Sequence, residues 1–221
     1  GCVEHGMKKE TAQKVWEQIE PYAAYGFGKA HAASYGNLAY QTAYMKANYP
    51  VDYMAAILTA DAGDIERIAE VVIECSRMGL TIQPPAVNES RGTFTVVDDA
   101  TIRFGLYSIK NFGTGVADSI IAERESSGPY ASVADFLIRV SDKNLNKKSL
   151  ESLIMSGALD EFSERATLLG NIDILLSYHR ESSKAPKDHD SLFGAETTTV
   201  SRELPLPTQE PATLEQRLAW E

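Results

Sequence analysis

Helix-ending residues divide the first 80 positions of this 221-residue chain into short segments with helical patterns. In residues 8–20, Val15, Trp16 and Ile19 recur at helical spacing among charged residues. This pattern predicts an amphipathic helix that loosens near Pro21. These segments predict a series of helices joined by turns.

The following segments continue this arrangement. A turn is expected at Gly26–Gly28, and the proline-free stretch from Lys29 to Tyr49 predicts a long helix that Pro50 ends. Its tyrosines are spaced four to five residues apart, which is interpreted as keeping them near one face; they are Tyr35, Tyr40, Tyr44 and Tyr49. Two more helices are predicted over 52–60 and 64–78, the second stopping at Gly79.

One segment has the pattern of strands. Residues 93–97 and 101–105 are rich in β-formers and flank Asp98-Asp99, which predicts a short β-hairpin. Helical patterns then return at 106–110, 115–126, 132–140, 146–156 and 164–181. Asn146 is expected to cap the fourth of these and Gly157 to close it. The predicted fold class is therefore mainly α, with a small β-hairpin.

Charge is distributed unevenly along the chain. The formal net charge is −10, which by itself argues against a nucleic-acid partner. However, the excess of acidic residues lies in 61–100, with three basic and eight acidic residues, and in 161–221, with six and eleven. Residues 1–60 and 101–160 are neutral, so a local phosphate site is allowed in either of them.

Several kinds of site have no signature in this sequence. The four histidines are scattered and there are two cysteines, so no metal site and no disulfide framework is expected. No run of apolar residues approaches the ~20 needed to span a membrane. Asp98-Asp99 is interpreted as a turn and not as a metal-binding pair. No complete catalytic site is visible.

The start of the Lys29 helix gathers residues that could bind an anion. Its free N–H groups and dipole favour phosphate, Lys29 could add a charge, and His31 could add a directed hydrogen bond. Tyr35, one turn beyond His31, could offer its ring to a base or sugar. The alternative is an amphipathic helix with a tyrosine-rich packing face and a solvated lysine, and the residues alone favour that alternative.

The order of residues over 27–58 closely resembles the fingers of bacterial DNA polymerase III α subunits, the C-family replicative polymerases. The family pattern Phe-x-Lys-[Ser/Ala]-His-Ala-x-x-Tyr is met by FGKAHAASY from Phe27, and Tyr-x-Thr-Ala-Tyr-x-Lys by YQTAYMK from Tyr40. The segment YPVDYMAA from Tyr49 follows in the family's order. The resemblance extends through GCVEHG at the start and PPAVNES at 84–90, and covers nearly the whole chain.

This resemblance implies nucleotide contacts for Lys29, His31 and Tyr35. It implies a parent enzyme that adds deoxynucleotides to a primer 3′ end, using Mg²⁺ held by palm aspartates upstream of this chain. The chain is therefore expected to hold no catalytic residue, metal or cofactor of its own, and to be inactive alone. The implied partners are primer–template DNA, deoxynucleoside triphosphates, a sliding clamp and other replicase subunits, with no membrane, in the cytoplasm.

A second candidate site lies at residues 109–120. This segment fits the helix-hairpin-helix pattern, with Asn111 in the first glycine position. Asn is the residue other than glycine that best tolerates a positive φ. The tight turn would let backbone N–H groups approach a DNA phosphate without reading bases. The predicted DNA-binding residues are Lys110, Asn111, Phe112, Gly113 and Gly115. On pattern alone, the ordinary interpretation is a Gly-rich connection between two helices. The resemblance to the polymerase family, which has a helix-hairpin-helix motif at the same position, favours the DNA-binding motif instead.

Two weaker features follow. Asn144–Lys148 opens a helix, with Lys143, Lys147 and Lys148 clustered, which is interpreted either as the second half of the module or as a solvated face. Leu192 and Phe193 stand in a polar segment, where the family commonly has a clamp-binding Gln-x-x-[Leu/Met]-Phe motif. His189 replaces the Gln. A patch docking on its own domain is the alternative.

The predicted organisation has three parts. Residues 1–80 are the C-terminal part of the fingers, 81–181 the hairpin and helix-hairpin-helix module, and 182–221 a flexible linker. Two other functions stay open. One is a noncatalytic DNA-binding scaffold, a paralogue whose palm has lost its acids. The other is a structural helical interaction domain, which the Lys29 and Gly113 segments disfavour.

Overall fold

A computed structural model describes residues 1–25, 28–140, 145–184 and 204–220. The fold is mainly α, as predicted, and divides into two compact units, Gly1–Pro50 and Val51–Glu221. Among the described residues no helix has the length and apolar character needed to cross a membrane.

The first unit contains two helices. Helix α1 spans Lys9–Tyr25 and carries Pro21 inside it, so it continues four residues past the position at which loosening was predicted. Helix α2 spans Lys29–Asn48 and has no buried residue. The prediction that its tyrosines share one face is also wrong. At 100° per residue, the five-residue step from Tyr35 to Tyr40 advances about 500°, which leaves the two rings about 140° apart.

The second unit begins with a small α/β layer. Helix α3 spans Pro50–Ala60 and helix α4 spans Ile65–Arg77. Pro50 starts a helix instead of only ending the previous one, because a first helical position needs no N–H donor. Asp64 caps α4 by accepting a hydrogen bond from the Arg67 N–H at 3.0 Å. Gly79 follows at φ 78°, as its predicted role in closing the helix requires.

Three short strands pack against these helices. They are β1 (Thr81–Gln83), β2 (Thr95–Asp98) and β3 (Thr101–Arg103), in the order β1-β3-β2. The predicted hairpin is confirmed as the antiparallel β2–β3 pair, whereas the parallel β1–β3 pair was not predicted. Ile102 is fully buried in one core with Leu58 and Cys75. The predicted domain boundary near residue 80 therefore falls inside this core.

The rest of the second unit is a helical module with its own core. A 3₁₀ helix at Leu106–Ser108 leads into five helices: α5 (Thr114–Ser127), α6 (Val133–Arg139), α7 (Lys147–Met155), α8 (Arg165–Gly170) and α9 (Ile172–Lys184). Asn146 caps α7 through a reciprocal box with Ser149, and Gly157 closes it at φ 83°, both as predicted. The helix predicted over 164–181 is instead two helices that meet at Asn171.

Residues 204–213, here called the strap, lie on this module. The Asn171 side chain donates to the Pro207 carbonyl at 2.9 Å, and the Ala212 N–H donates to the Glu164 carboxylate at 3.0 Å. Helix α10 follows at Leu214–Trp220. A flexible linker was predicted over 182–221, and in the strap the structure differs from that prediction because a buried Asn and a Glu bind its backbone.

Candidate nucleic-acid interface

The turn that precedes α5 is held from inside by two apolar side chains. Ile109 and Phe112 are 8% and 6% exposed and belong to the core of the module. Between them Asn111 adopts φ 60°, the one positive φ of a non-glycine residue in the described chain. The prediction that Asn takes a left-handed glycine position here is confirmed. Because the Phe112 ring is buried, any DNA contact by this residue would use its backbone.

Gly113 and Gly115 lie on the outer side of the same turn. Gly113 has φ −75° and ψ 141°, values that any residue can adopt, and a Cβ at either glycine would meet no atom within 4 Å. Neither backbone conformation nor internal packing therefore requires glycine here. Bare backbone on an exposed turn suits the close approach of an external group.

Helix α5 begins directly after Gly113, and no side chain caps its first turn. The N–H groups at this end have no partner within the helix, so they and the helix dipole form a site that favours an anion. Lys110 is exposed one turn earlier in the chain. The arrangement can bind a phosphate through backbone donors, with a nearby positive charge.

Of the three acidic residues on α5, Asp118 is the nearest in the chain to the helix start. The Tyr107 hydroxyl donates a hydrogen bond to the Asp118 carboxylate, and this bond raises the pKa of Tyr107. Tyr107 is 40% exposed. Accepting this bond ties the Asp118 carboxylate to the 3₁₀ helix at Leu106–Ser108.

Arg91 is a candidate that sequence reasoning missed. The Leu106 and Tyr107 N–H groups donate to the carbonyls of Arg91 and Gly92, both at 2.9 Å. This pairing places exposed Arg91 beside the 3₁₀ helix that leads into the turn. The only sequence signal was its position directly after PPAVNES, and its spatial neighbour lies 15 residues ahead in the chain.

The 84–90 loop is fixed to the module by side chains. The Arg124 guanidinium donates to the carbonyls of Val87 at 2.7 Å and Ser90 at 3.0 Å. The Asn88 side chain both donates to the Tyr130 carbonyl and accepts from its N–H, at 2.9 and 2.7 Å. These bonds connect the 84–90 loop to helix α5, through Arg124, and to Tyr130.

Comparison with known proteins agrees with this geometry. A family model described as a helix-hairpin-helix motif matches residues 79–168, which include the turn and α5. The chain is 43% identical over 182 residues to the DNA polymerase III subunit alpha of Thermus aquaticus, and 44% identical over 197 residues to that of Borreliella burgdorferi. These matches cover 82% and 88% of the chain. The chain belongs to the DNA polymerase III α-subunit family.

A third relative, the DNA polymerase III subunit alpha of Escherichia coli K12, is 39% identical over 186 residues, or 84% of the chain. The chain spans only 15–17% of the length of these three relatives. The similarity therefore covers most of this chain but only one part of those proteins.

The family-matched residues of α2 are exposed at its start. Lys29 is the first helical residue, after Gly28, and the His31 and Tyr35 rings lie 4.3 Å apart between centroids at a tilt of 52°. A two-residue step turns about 200°, so Lys29 and His31 leave the helix on different sides. Phe27 lies outside the described residues.

The other predicted sites are only partly within the described chain. Lys147 forms an ion pair with Asp173 at 3.0 Å, and Lys148 is exposed. Lys143 and Asn144 lie outside the described residues. So do the clamp-motif residues His189, Leu192 and Phe193.

No group of three or more His, Cys, Asp or Glu side chains in the described part of the chain could hold a metal ion. Asp98 instead accepts a hydrogen bond from the Ala100 N–H at 2.9 Å, and this bond lowers its pKa. Asp98 acts as a turn residue, as predicted. The described residues do not fit a catalytic Mg²⁺ site.

Proposed function

We propose that this chain is part of a DNA-directed DNA polymerase. It would bind the phosphate backbone of duplex DNA at the turn before α5. The observation that carries the proposal is the exposed pair Gly113 and Gly115. Neither the backbone φ nor the internal packing requires glycine at these two positions. Membership of the DNA polymerase III α-subunit family and the helix-hairpin-helix match support it.

The binding step follows from the geometry. A phosphate oxygen approaches the start of α5, where the N–H groups of the first turn donate to it. Gly113 and Gly115 leave space for this approach, and Lys110 and Arg91 add positive charge. Since every nucleotide carries the same phosphate, such binding fixes the position of the duplex without reading its sequence.

The role of α2 in this proposal is contact with the incoming deoxynucleoside triphosphate. Lys29 at the helix start would bind phosphate, while the His31–Tyr35 ring pair would face the base or sugar. Exposure of all three residues supports this role. The reaction would use Mg²⁺ and aspartates from another part of the full-length protein, and no step through the metal involves the described residues.

Leu192 and Phe193 would tether the enzyme to a sliding clamp. Primer–template DNA, nucleotides, the clamp and other replicase subunits would be its partners, in the cytoplasm. These roles rest on membership of the DNA polymerase III α-subunit family.

Fluorescence anisotropy with labelled duplexes tests the DNA-binding proposal. The 221-residue chain should bind several duplexes of equal length and unrelated sequence with the same affinity. Lys110→Gln should weaken all of them equally, by roughly 10- to 150-fold for one charge-assisted contact of about 1.5–3 kcal/mol. Lys14→Gln is the matched control, because this exposed lysine lies on α1 and not at the turn before α5. Equal affinities for wild type and Lys110→Gln would contradict the proposal.

A further inference from the structure

An unusual charge pattern covers the second helix. One residue in seven of the whole chain is acidic, 31 of 221, yet residues 21–51 contain no Asp and no Glu. Helix α2 lies inside this stretch, with Lys29 in its first turn and Lys46 in its last. A helix without acidic residues in a chain of net charge −10 is compatible with a polyanion along its whole length.

This helix also exposes aromatic rings on two sides. The Tyr40 and Tyr44 rings lie 6.4 Å apart and are 69% and 49% exposed. At 100° per residue they lie about 140° or more from the His31 and Tyr35 side. Small residues adjoin them on their side, Ala33, Gly36 and Ala47. The surface formed by Tyr40, Tyr44 and these small residues is here called the Tyr40–Tyr44 face.

The chemistry of this face selects one class of ligand. An aromatic pair could cover an apolar protein surface, but such a contact would not need a helix free of acidic residues. Base stacking on tyrosine does benefit from the absence of acidic residues, because each base brings a phosphate that a nearby carboxylate would repel. In a duplex the base faces are covered by their neighbours, whereas a single strand can present them.

We propose that the Tyr40–Tyr44 face binds an unpaired DNA strand by base stacking, with Lys29, which lies within about 60° of both rings around the helix, attracting its phosphates. This site is separate from the duplex site before α5, and it lies on the opposite side of α2 from the His31–Tyr35 pair. Its binding has little sequence preference, because every base has an aromatic face. It goes beyond the proposed function and can fail without affecting it.

Titration of the 221-residue chain with labelled oligothymidine at low salt tests this proposal. The double variant Tyr40→Leu/Tyr44→Leu keeps apolar bulk but removes both rings. It should weaken oligothymidine binding by about 5- to 150-fold for each stacked base that is lost. Tyr40→Phe/Tyr44→Phe should bind like wild type because the rings remain. Trp16→Leu removes an exposed aromatic ring from α1 and serves as the control.

Duplex binding by the double leucine variant should be unchanged, which separates this site from the one before α5. The proposal is overturned if wild type does not bind oligothymidine, if the leucine variant binds it equally, or if the phenylalanine variant loses as much affinity as the leucine variant. A lowered melting temperature of the full-length protein with unchanged oligothymidine affinity would also overturn it. That result would show that another protein segment covers the face.

Discussion

Replacing Gly113 with Val should weaken duplex binding strongly while leaving the fold intact. The structure supplies both halves of this expectation. A Val at φ −75° and ψ 141° is unstrained, and its Cβ would enter open space. The free energy of unfolding should therefore change by less than about 1 kcal/mol, since Val has less freedom than Gly to lose on folding but is the poorer residue at a helix N-cap. Two methyl groups would instead stand where a phosphate must approach the first N–H groups of α5.

The loss of affinity can be worked out from the contacts. Each hydrogen bond to a charged phosphate contributes about 1.5–3 kcal/mol, so blocking one weakens binding roughly 10- to 150-fold. The assay is duplex anisotropy on the 221-residue chain, with melting followed by circular dichroism on the same samples. Unchanged affinity for Gly113→Val would refute the backbone-approach mechanism.

Gly105→Ala is the opposite case and shows what a structural glycine does. A Cβ at Gly105 would lie closer than 3.0 Å to the Gly92 carbonyl oxygen and to the backbone of Thr93. This variant should lose stability, by several kcal/mol if the backbone cannot shift. Comparing Gly105→Ala with Gly113→Val therefore distinguishes a glycine that the fold requires from a glycine that ligand binding requires.

Three further predictions concern other parts of the chain. In the full-length enzyme, Lys29→Ala should raise the apparent KM for nucleotide or slow transfer about 10- to 150-fold with unchanged melting, and an unaltered rate would contradict its proposed role. A peptide of residues 182–200 should bind the cognate clamp with micromolar affinity, on the order of −8 kcal/mol, and Leu192→Ala/Phe193→Ala should abolish this binding. Burial raises the pKa of Tyr130 to about 12, although Arg139 nearby opposes the shift. Because the folded pKa lies above the ordinary value near 10, the associated stability should be complete below pH ~10 and lost as pH rises through 12, which phenolate absorbance and unfolding free energies measured across that range would check.

Local signals were sufficient for the candidate duplex site. Asn111 could be assigned to a left-handed position because Asn tolerates positive φ, and Gly113 could be placed at a helix start because the following residues are helical. Caps at Asp64 and Asn146 follow the same short-range rules. These features depend on neighbours within a few residues, so the sequence contains them.

Features that depend on distant partners were missed. Strand β1 has three residues and exists through its parallel pairing with β3, about 20 residues ahead. The strap is Pro-rich and polar like a linker, and its order comes from Asn171 and Glu164, which no local pattern connects to it. Arg91 became a candidate only through backbone pairing with the 3₁₀ helix. The tyrosines of α2 were assigned to one face because a five-residue step was treated as one turn.

The salt dependence of duplex binding tests the central claim most directly, because phosphate neutralisation releases condensed counterions in proportion to the contacts made. The measurement is the association constant of the 221-residue chain for a duplex, between about 20 and 200 mM salt, against that of Lys110→Gln. With Lys110 and Arg91 as the nearby charges, the logarithmic slope should be about −1 to −2, and shallower by about 1 in the variant. Binding that does not depend on salt, or identical slopes for the two proteins, would contradict a phosphate site at the turn before α5.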